Sequence, residues 1–183
     1  MPTVLVPLAE GCEELEAVTI IDLLRRAQVE VVTAGLAAGP VKASRGTVLV
    51  PDTTLDAALQ ADYDLIALPG GLPGADHLAN DARLIAALQK TAARGQYTAA
   101  ICAAPRALAK AGLLAGKRFT AYPGSMKAED YPGLTPTGAV VEQNGGVITS
   151  RGPGTAMDFA LTLIEVLCGR TTRDTVEKGL VRP

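Results

Sequence analysis

The sequence predicts an α/β protein with a mostly parallel sheet covered by helices on both faces. Short apolar runs alternate with helical patterns along the chain, the order expected when helices cross over between parallel strands. The 183 residues, 48% hydrophobic and 20% charged, suit one domain (residues 1–183) around a single core. No internal repeat, linker or low-complexity segment interrupts the alternation.

Thr3 to Leu8 reads as a buried strand. Glu13 to Ala27 reads as a helix, with Leu15, Val18, Thr19, Asp22 and Leu23 spaced for one face and Arg25-Arg26 in its last turn. Val29 to Thr33 is the next strand. Val41 to Val50 is strand-rich but carries Ser44-Arg45-Gly46, which marks a hairpin. Leu55 to Gln60 is a short helix. Asp64 to Leu68 is a strand that breaks at Pro69-Gly70-Gly71. Asp81 is an N-cap for a helix running to Arg94. The apolar run from Tyr97 ends at Cys102, and a helical stretch follows from Arg106 to Leu114. Arg118 to Ala121 reads as a strand entering Tyr122-Pro123-Gly124. Ala139 to Glu142 and Val147 to Ser150 flank Asn144-Gly145, a strong hairpin signal. Thr155 to Leu167 is an apolar helix, capped by Thr155 and ended by Gly169.

Composition excludes several classes. Aromatic residues are 3% of the chain and Trp is absent, so a stacking platform for single-stranded nucleic acid is not expected. The net charge is -2 and no basic cluster exceeds Arg25-Arg26, so nucleic acid is not an expected partner. No apolar run approaches the ~20 residues that span a bilayer, and the first residues lack the pattern of a signal peptide. Cys12, Cys102 and Cys168 are widely spaced, which fits a reducing cytoplasm better than a disulfide framework. With one histidine, His77, no metal site is expected.

In open α/β sheets, sites lie beyond the carboxyl ends of the strands. There this sequence puts Glu13, Glu14 and Glu16, then Pro69-Gly70-Gly71, then Cys102, Tyr122-Pro123 and Ser150-Arg151-Gly152-Pro153-Gly154-Thr155. Cys102 sits at a strand-to-helix elbow, where helix N–H groups favour the thiolate. Position alone leaves a second reading open, a small inert core cysteine. Glu16 stands one turn into its helix; partial burial there raises a carboxyl pKa and suits it to acid/base work. Glu13 and Glu14 read first as partners of the helix dipole. The amides of Gly70, Gly71 and Ala103 could form an oxyanion hole, or the glycines could simply make a tight turn.

Glu-Gly-Cys-Glu-Glu-Leu-Glu at 10–16, Leu-Pro-Gly-Gly at 68–71, Ala-Ala-Ile-Cys-Ala-Ala-Pro at 99–105 and Ser-Arg-Gly-Pro-Gly-Thr at 150–155 together resemble the ThiJ/PfpI superfamily, in its parkinsonism-associated deglycase branch. The resemblance implies a flavodoxin-like three-layer sandwich and a homodimer. It implies a nucleophilic Cys102, a Glu16 hydrogen-bonded to it, and dimer-interface arginines at Arg26 and Arg45. Many relatives carry a histidine where this chain has Tyr122, and His77 matches no catalytic position. The missing histidine weakens a Cys-His-Glu triad, and Tyr122 is left to orient substrate. The activity implied is a cofactor-free glyoxalase or deglycase acting on methylglyoxal, glyoxal or their glycated adducts. The alternatives are an oxidative-stress sensor in which Cys102 becomes a sulfinate, or a stress chaperone.

Overall fold

A computed structural model describes residues 1–183. The chain opens with β1 (Thr3–Leu8), α1 (Glu14–Arg26), β2 (Glu30–Gly35), the short strands β3 (Val41–Lys42), β4 (Val48–Leu49) and β5 (Thr53–Thr54), and α2 (Leu55–Ala58). It continues through β6 (Leu65–Leu68), α3 (Gly74–Asn80), α4 (Ala82–Ala93), β7 (Tyr97–Ile101) and α5 (Pro105–Lys110). It closes with β8 (Val141–Asn144), β9 (Val147–Ser150), α6 (Ala156–Cys168) and α7 (Arg170–Gly179).

Seven strands form one sheet in the order β5-β2-β1-β6-β7-β9-β8. Every pairing is parallel except β8 on β9. The flavodoxin-like α/β architecture is therefore present. Alternation along β1 sends Val4, Val6 and Leu8 into the layer with Ile20, Leu24, Phe159 and Ile164. Leu5 enters the opposite layer with Leu55, Ile66, Leu84, Leu108 and Phe119. Burying each such aliphatic side chain is worth roughly 1.5–3 kcal/mol, so two filled layers hold the sheet between helices.

Local signals explain most element ends. Asp81 accepts from the Arg83 and Leu84 N–H groups and so caps α4. The hairpin at 41–50 forms, with Val41 opposite Leu49. Gly169 closes α6 at φ 83°, a conformation that costs an L-side chain but not glycine.

Four expectations are corrected. Arg118 to Ala121 is not a strand, because β9 already has a partner on each edge. The segment is instead held through side chains: the Thr120 N–H donates to Thr149 Oγ1, and Thr120 Oγ1 donates to the Ala139 carbonyl. Thr155 takes the N-cap position of α6 but makes no side-chain capping bond; its hydroxyl is engaged by Ser150 and Gly152. The buried face of α1 is Glu16, Ala17, Ile20, Leu23 and Leu24, while Leu15 and Val18 are exposed. Two helices, α3 and α7, lie where the sequence suggested none. α7 buries only Val176 and is laced by Arg173 with Glu177 at 2.9 Å.

Candidate active site

β7 ends at Ile101, and the next residue turns the chain. Cys102 adopts φ 64°, a left-handed conformation that L-residues with a Cβ normally avoid. Its own backbone is held on both sides. The Cys102 N–H donates to the Ser150 carbonyl at 2.9 Å, and its carbonyl accepts from the Tyr122 N–H at 2.8 Å. An elbow of this kind persists because its neighbours over-determine it. It lifts the thiol off the end of the strand into a cleft.

Glu16 comes from the first turn of α1 and is completely buried. Its Oε2 accepts from the Gly70 N–H at 2.7 Å. Its Oε1 has no well-formed hydrogen bond, and the other polar group acting on the carboxyl is the Cys102 thiol. Gly70 is the spacer that permits this. A Cβ there would lie 2.7 Å from Cys102 Cβ and 2.8 Å from Glu16 Oε2. Gly71 stands at φ 86°, with its open side against the Glu13 backbone. Both glycines are thus needed for close approach, beyond the needs of a turn.

The electrostatics differ from the helix-dipole expectation. α5 is short and starts at Pro105, so it offers little dipole. Burial first, then the Glu16 charge and its hydrogen bond, push the Cys102 thiol up to about 12; the Gly71 and Ala103 N–H groups pull the other way. Burial raises Glu16 to about 7 against the lowering pull of the Gly70 N–H and the Cys102 thiol. The pair titrates as a unit. Protonating Glu16 removes the negative charge that holds the thiol up and leaves a donor facing the sulfur. A proton on Glu16 therefore favours the thiolate at Cys102.

The cleft over Cys102 has a volume of about 440 Å³. Gly71, Ala103, Tyr122 and Arg45 line it together with Glu13 and Ser125. The Gly70 N–H is occupied by Glu16, so the amides free to meet a developing oxyanion are those of Gly71 and Ala103. Tyr122 is half exposed at the rim, its ring against Gly152. Arg26 is not in the cleft. It lies in the last turn of α1, paired with Asp22 at 2.8 Å on the surface. His77 is exposed on α3 and also lies outside the cleft. No group of three or more His, Cys, Asp or Glu side chains is placed to hold a metal.

The sequence did not single out Ser44 or Ser125. The single Ser44 Oγ–H is shared between Glu13 and Glu14, at 2.9 and 3.1 Å, and thereby fastens the hairpin tip to the start of α1. The Arg45 and Thr47 N–H groups also donate to Glu14. Partial burial opposes ionisation of Glu14, yet these bonds prevail and hold it down at about 2. The signal was present as polar residues in a hairpin turn, but nothing in the sequence says which carboxylate that turn meets.

The DJ-1/PfpI family description matches residues 2–166. The chain is 45% identical to protein DJ-1 homolog B of Arabidopsis thaliana over 98% of its own length and 40% of that longer protein. It is 35% identical to the glutathione-independent glyoxalase DJR-1.2 of Caenorhabditis elegans, over 93% of this chain and 91% of that one. Toxoplasma gondii DJ-1, solved in an oxidized form, superposes with a TM-score of 0.93 at 40% identity, over 99% of this chain and 98% of that one. Sequence, elbow and sheet order agree, and the chain belongs to the DJ-1/PfpI family.

Proposed function

We propose that this protein is a cofactor-independent glyoxalase or deglycase acting on methylglyoxal, glyoxal or their adducts. The observation that carries the reading is the buried Glu16 carboxyl set against the Cys102 thiol, with the Gly71 and Ala103 N–H groups on the sulfur's other side. The Cys102 thiol gives its proton to Glu16 and its sulfur adds to the aldehyde carbon; Glu16 passes that proton to the carbonyl oxygen, giving a hemithioacetal and leaving Glu16 a carboxylate. Gly71 and Ala103 stabilise the oxyanion as it develops. The Glu16 carboxylate removes the proton from that carbon and returns it to the neighbouring one through an enediolate. The product is a thioester of the hydroxy acid. Water cleaves it, releasing lactate from methylglyoxal and restoring the thiol; the net change is addition of one water. A carboxyl pKa near 7 suits a group that must both take and give this proton. Tyr122 orients the substrate at the rim. The name of the Caenorhabditis elegans relative supports this chemistry.

The test is methylglyoxal consumption by purified wild type and by Cys102→Ala, with Cys12→Ser as the control. Wild type and the Cys12 variant are expected to form lactate and the Cys102 variant to form none; conversion that survives Cys102→Ala removes the mechanism.

A second reading, an oxidation sensor, is favoured by the oxidized form of the Toxoplasma gondii relative. A Cys102 sulfinate would meet the same N–H groups and a protonated Glu16. Mass spectrometry after mild peroxide tests it, and modification at Cys12 ahead of Cys102 would count against it.

Exposed Leu15 and Val18 on α1, Val48 on β4 and Met157 on α6 are apolar surface that supports a homodimer. Sedimentation of the pure protein at the monomer mass would remove this part of the reading.

A further inference from the structure

We propose that Arg106 is a positioning residue that locks the Cys102 elbow to the Tyr122–Ser125 turn. Its side chain is largely buried, 13% exposed. The guanidinium reaches three partners on three different segments. Nε donates to the Ala103 carbonyl at 3.0 Å, and Nη2 donates to the Ser125 carbonyl at 3.0 Å. Nη1 pairs with Asp76 of α3.

These contacts close a ring around the reacting atom. The Cys102 carbonyl accepts from Tyr122, and the Tyr122 carbonyl accepts from the Ser125 N–H at 3.0 Å. Arg106 then joins Ser125 back to Ala103, the residue that follows Cys102. Two cleft walls, one bearing the Ala103 N–H and the other Tyr122, are thereby held by one planar fork. Lysine could supply the charge but not the fork. Without the fork, the turn is free to swing from the elbow, and the Ala103 N–H loses the brace that aims it at the sulfur.

The role rests on the proposed reaction for its effect on turnover, but the elbow itself can be read without turnover. The first readout is the pH profile of Cys102 alkylation by iodoacetamide. The titratable and charged groups around the thiol are the buried Glu16 and, lining the cleft, Glu13, Tyr122 and Arg45, and all are kept in each variant. Arg106→Met should move the profile to higher pH by about half a unit or more, because an N–H no longer aimed at the sulfur stops favouring the thiolate. It should lower kcat for methylglyoxal by about tenfold, as small misplacements of reacting groups do. Arg106→Lys should follow Arg106→Met. Asp76→Asn retains both carbonyl contacts of Arg106 and should keep the wild-type profile.

A wild-type profile in Arg106→Met overturns the proposal, as does full restoration by Arg106→Lys. If Arg106→Met does not fold, the Lys and Asp76 variants decide. Wild type that alkylates at Cys102 but converts no dicarbonyl removes the reaction and leaves Arg106 to be judged on alkylation alone.

Discussion

Cys12 and Cys102 are both buried and both sit beside glutamates, yet only one faces a cleft. The Cys12 thiol is pushed up to about 11 by burial and then by Glu14, which stays charged. The Cys102 thiol is pushed up to about 12 by burial and then by Glu16, which can be neutralised. Around Cys12 the loop is closed. Its N–H bonds the Ala9 carbonyl, its carbonyl accepts from Ser44, and Gly74 presses against its backbone. Around Cys102 the backbone is strained open, and two amides point at the sulfur. The two thiols therefore differ in access and in whether the neighbouring carboxyl can take up a proton near neutrality, while neither has a low resting pKa.

The largest expected effect breaks that difference directly. Glu16→Gln removes the group that exchanges the proton, and steady-state kinetics with methylglyoxal should show kcat falling by about 10²-fold or more. The same variant sharpens the pH argument. Glu16 binds its proton more tightly when folded, so its contribution to stability is complete below about 4.5 and is lost as pH rises through about 7. The loss is on the order of 3 kcal/mol. Urea midpoints at pH 5 and pH 8 should therefore fall with pH for wild type and hold steady for Glu16→Gln; equal slopes would refute the assignment.

A smaller effect should come from Gly70→Ala. The added methyl meets Cys102 Cβ, Glu16 Oε2 and the Ile101 carbonyl, all within 2.9 Å, and two of the three neighbours are backbone or Cβ atoms that yield little. Overpacking of this kind costs about 1–3 kcal/mol. Iodoacetamide labelling should slow at Cys102 and stay unchanged at Cys12. Equal slowing at both would mean the methyl disturbs the whole sheet edge rather than the pair.

Much of the fold was legible because buried strands end abruptly, as at Pro69 and Cys102, and because Asp81 and Gly169 carry their own local signals. The reach of that logic stopped where burial was polar or shared. The buried face of α1 was misphased because its inward stripe contains Glu16, a residue that periodicity counts as outward. α7, Arg-Thr-Thr-Arg-Asp-Thr-Val-Glu-Lys-Gly, has almost no apolar period and depends on ion pairs and on α6. Phe119 to Ala121 is buried, but no sequence feature says that β9 has no free edge for it. At the site, Cys102 and Glu16 were readable from the sheet-edge rule. That Gly70 serves Glu16, and that Arg106 reaches Ser125, follow only from the crossing of segments distant in the chain.

The tie between the hairpin tip and α1 has a consequence for how the molecule meets acid. Glu14, held at about 2, keeps accepting from Arg45, Thr47 and Ser44 through any mild acidification, and its contribution to stability is complete above about 4.5 and is lost as pH falls from there through about 2. Glu16, two residues on and turned to the buried side of α1, changes its charge near neutrality. The scaffold and the reacting centre are tuned to separate stretches of the pH scale. Slight acidification would thus reset the proton inventory of the thiol–carboxyl pair while the wall beside it stays fastened.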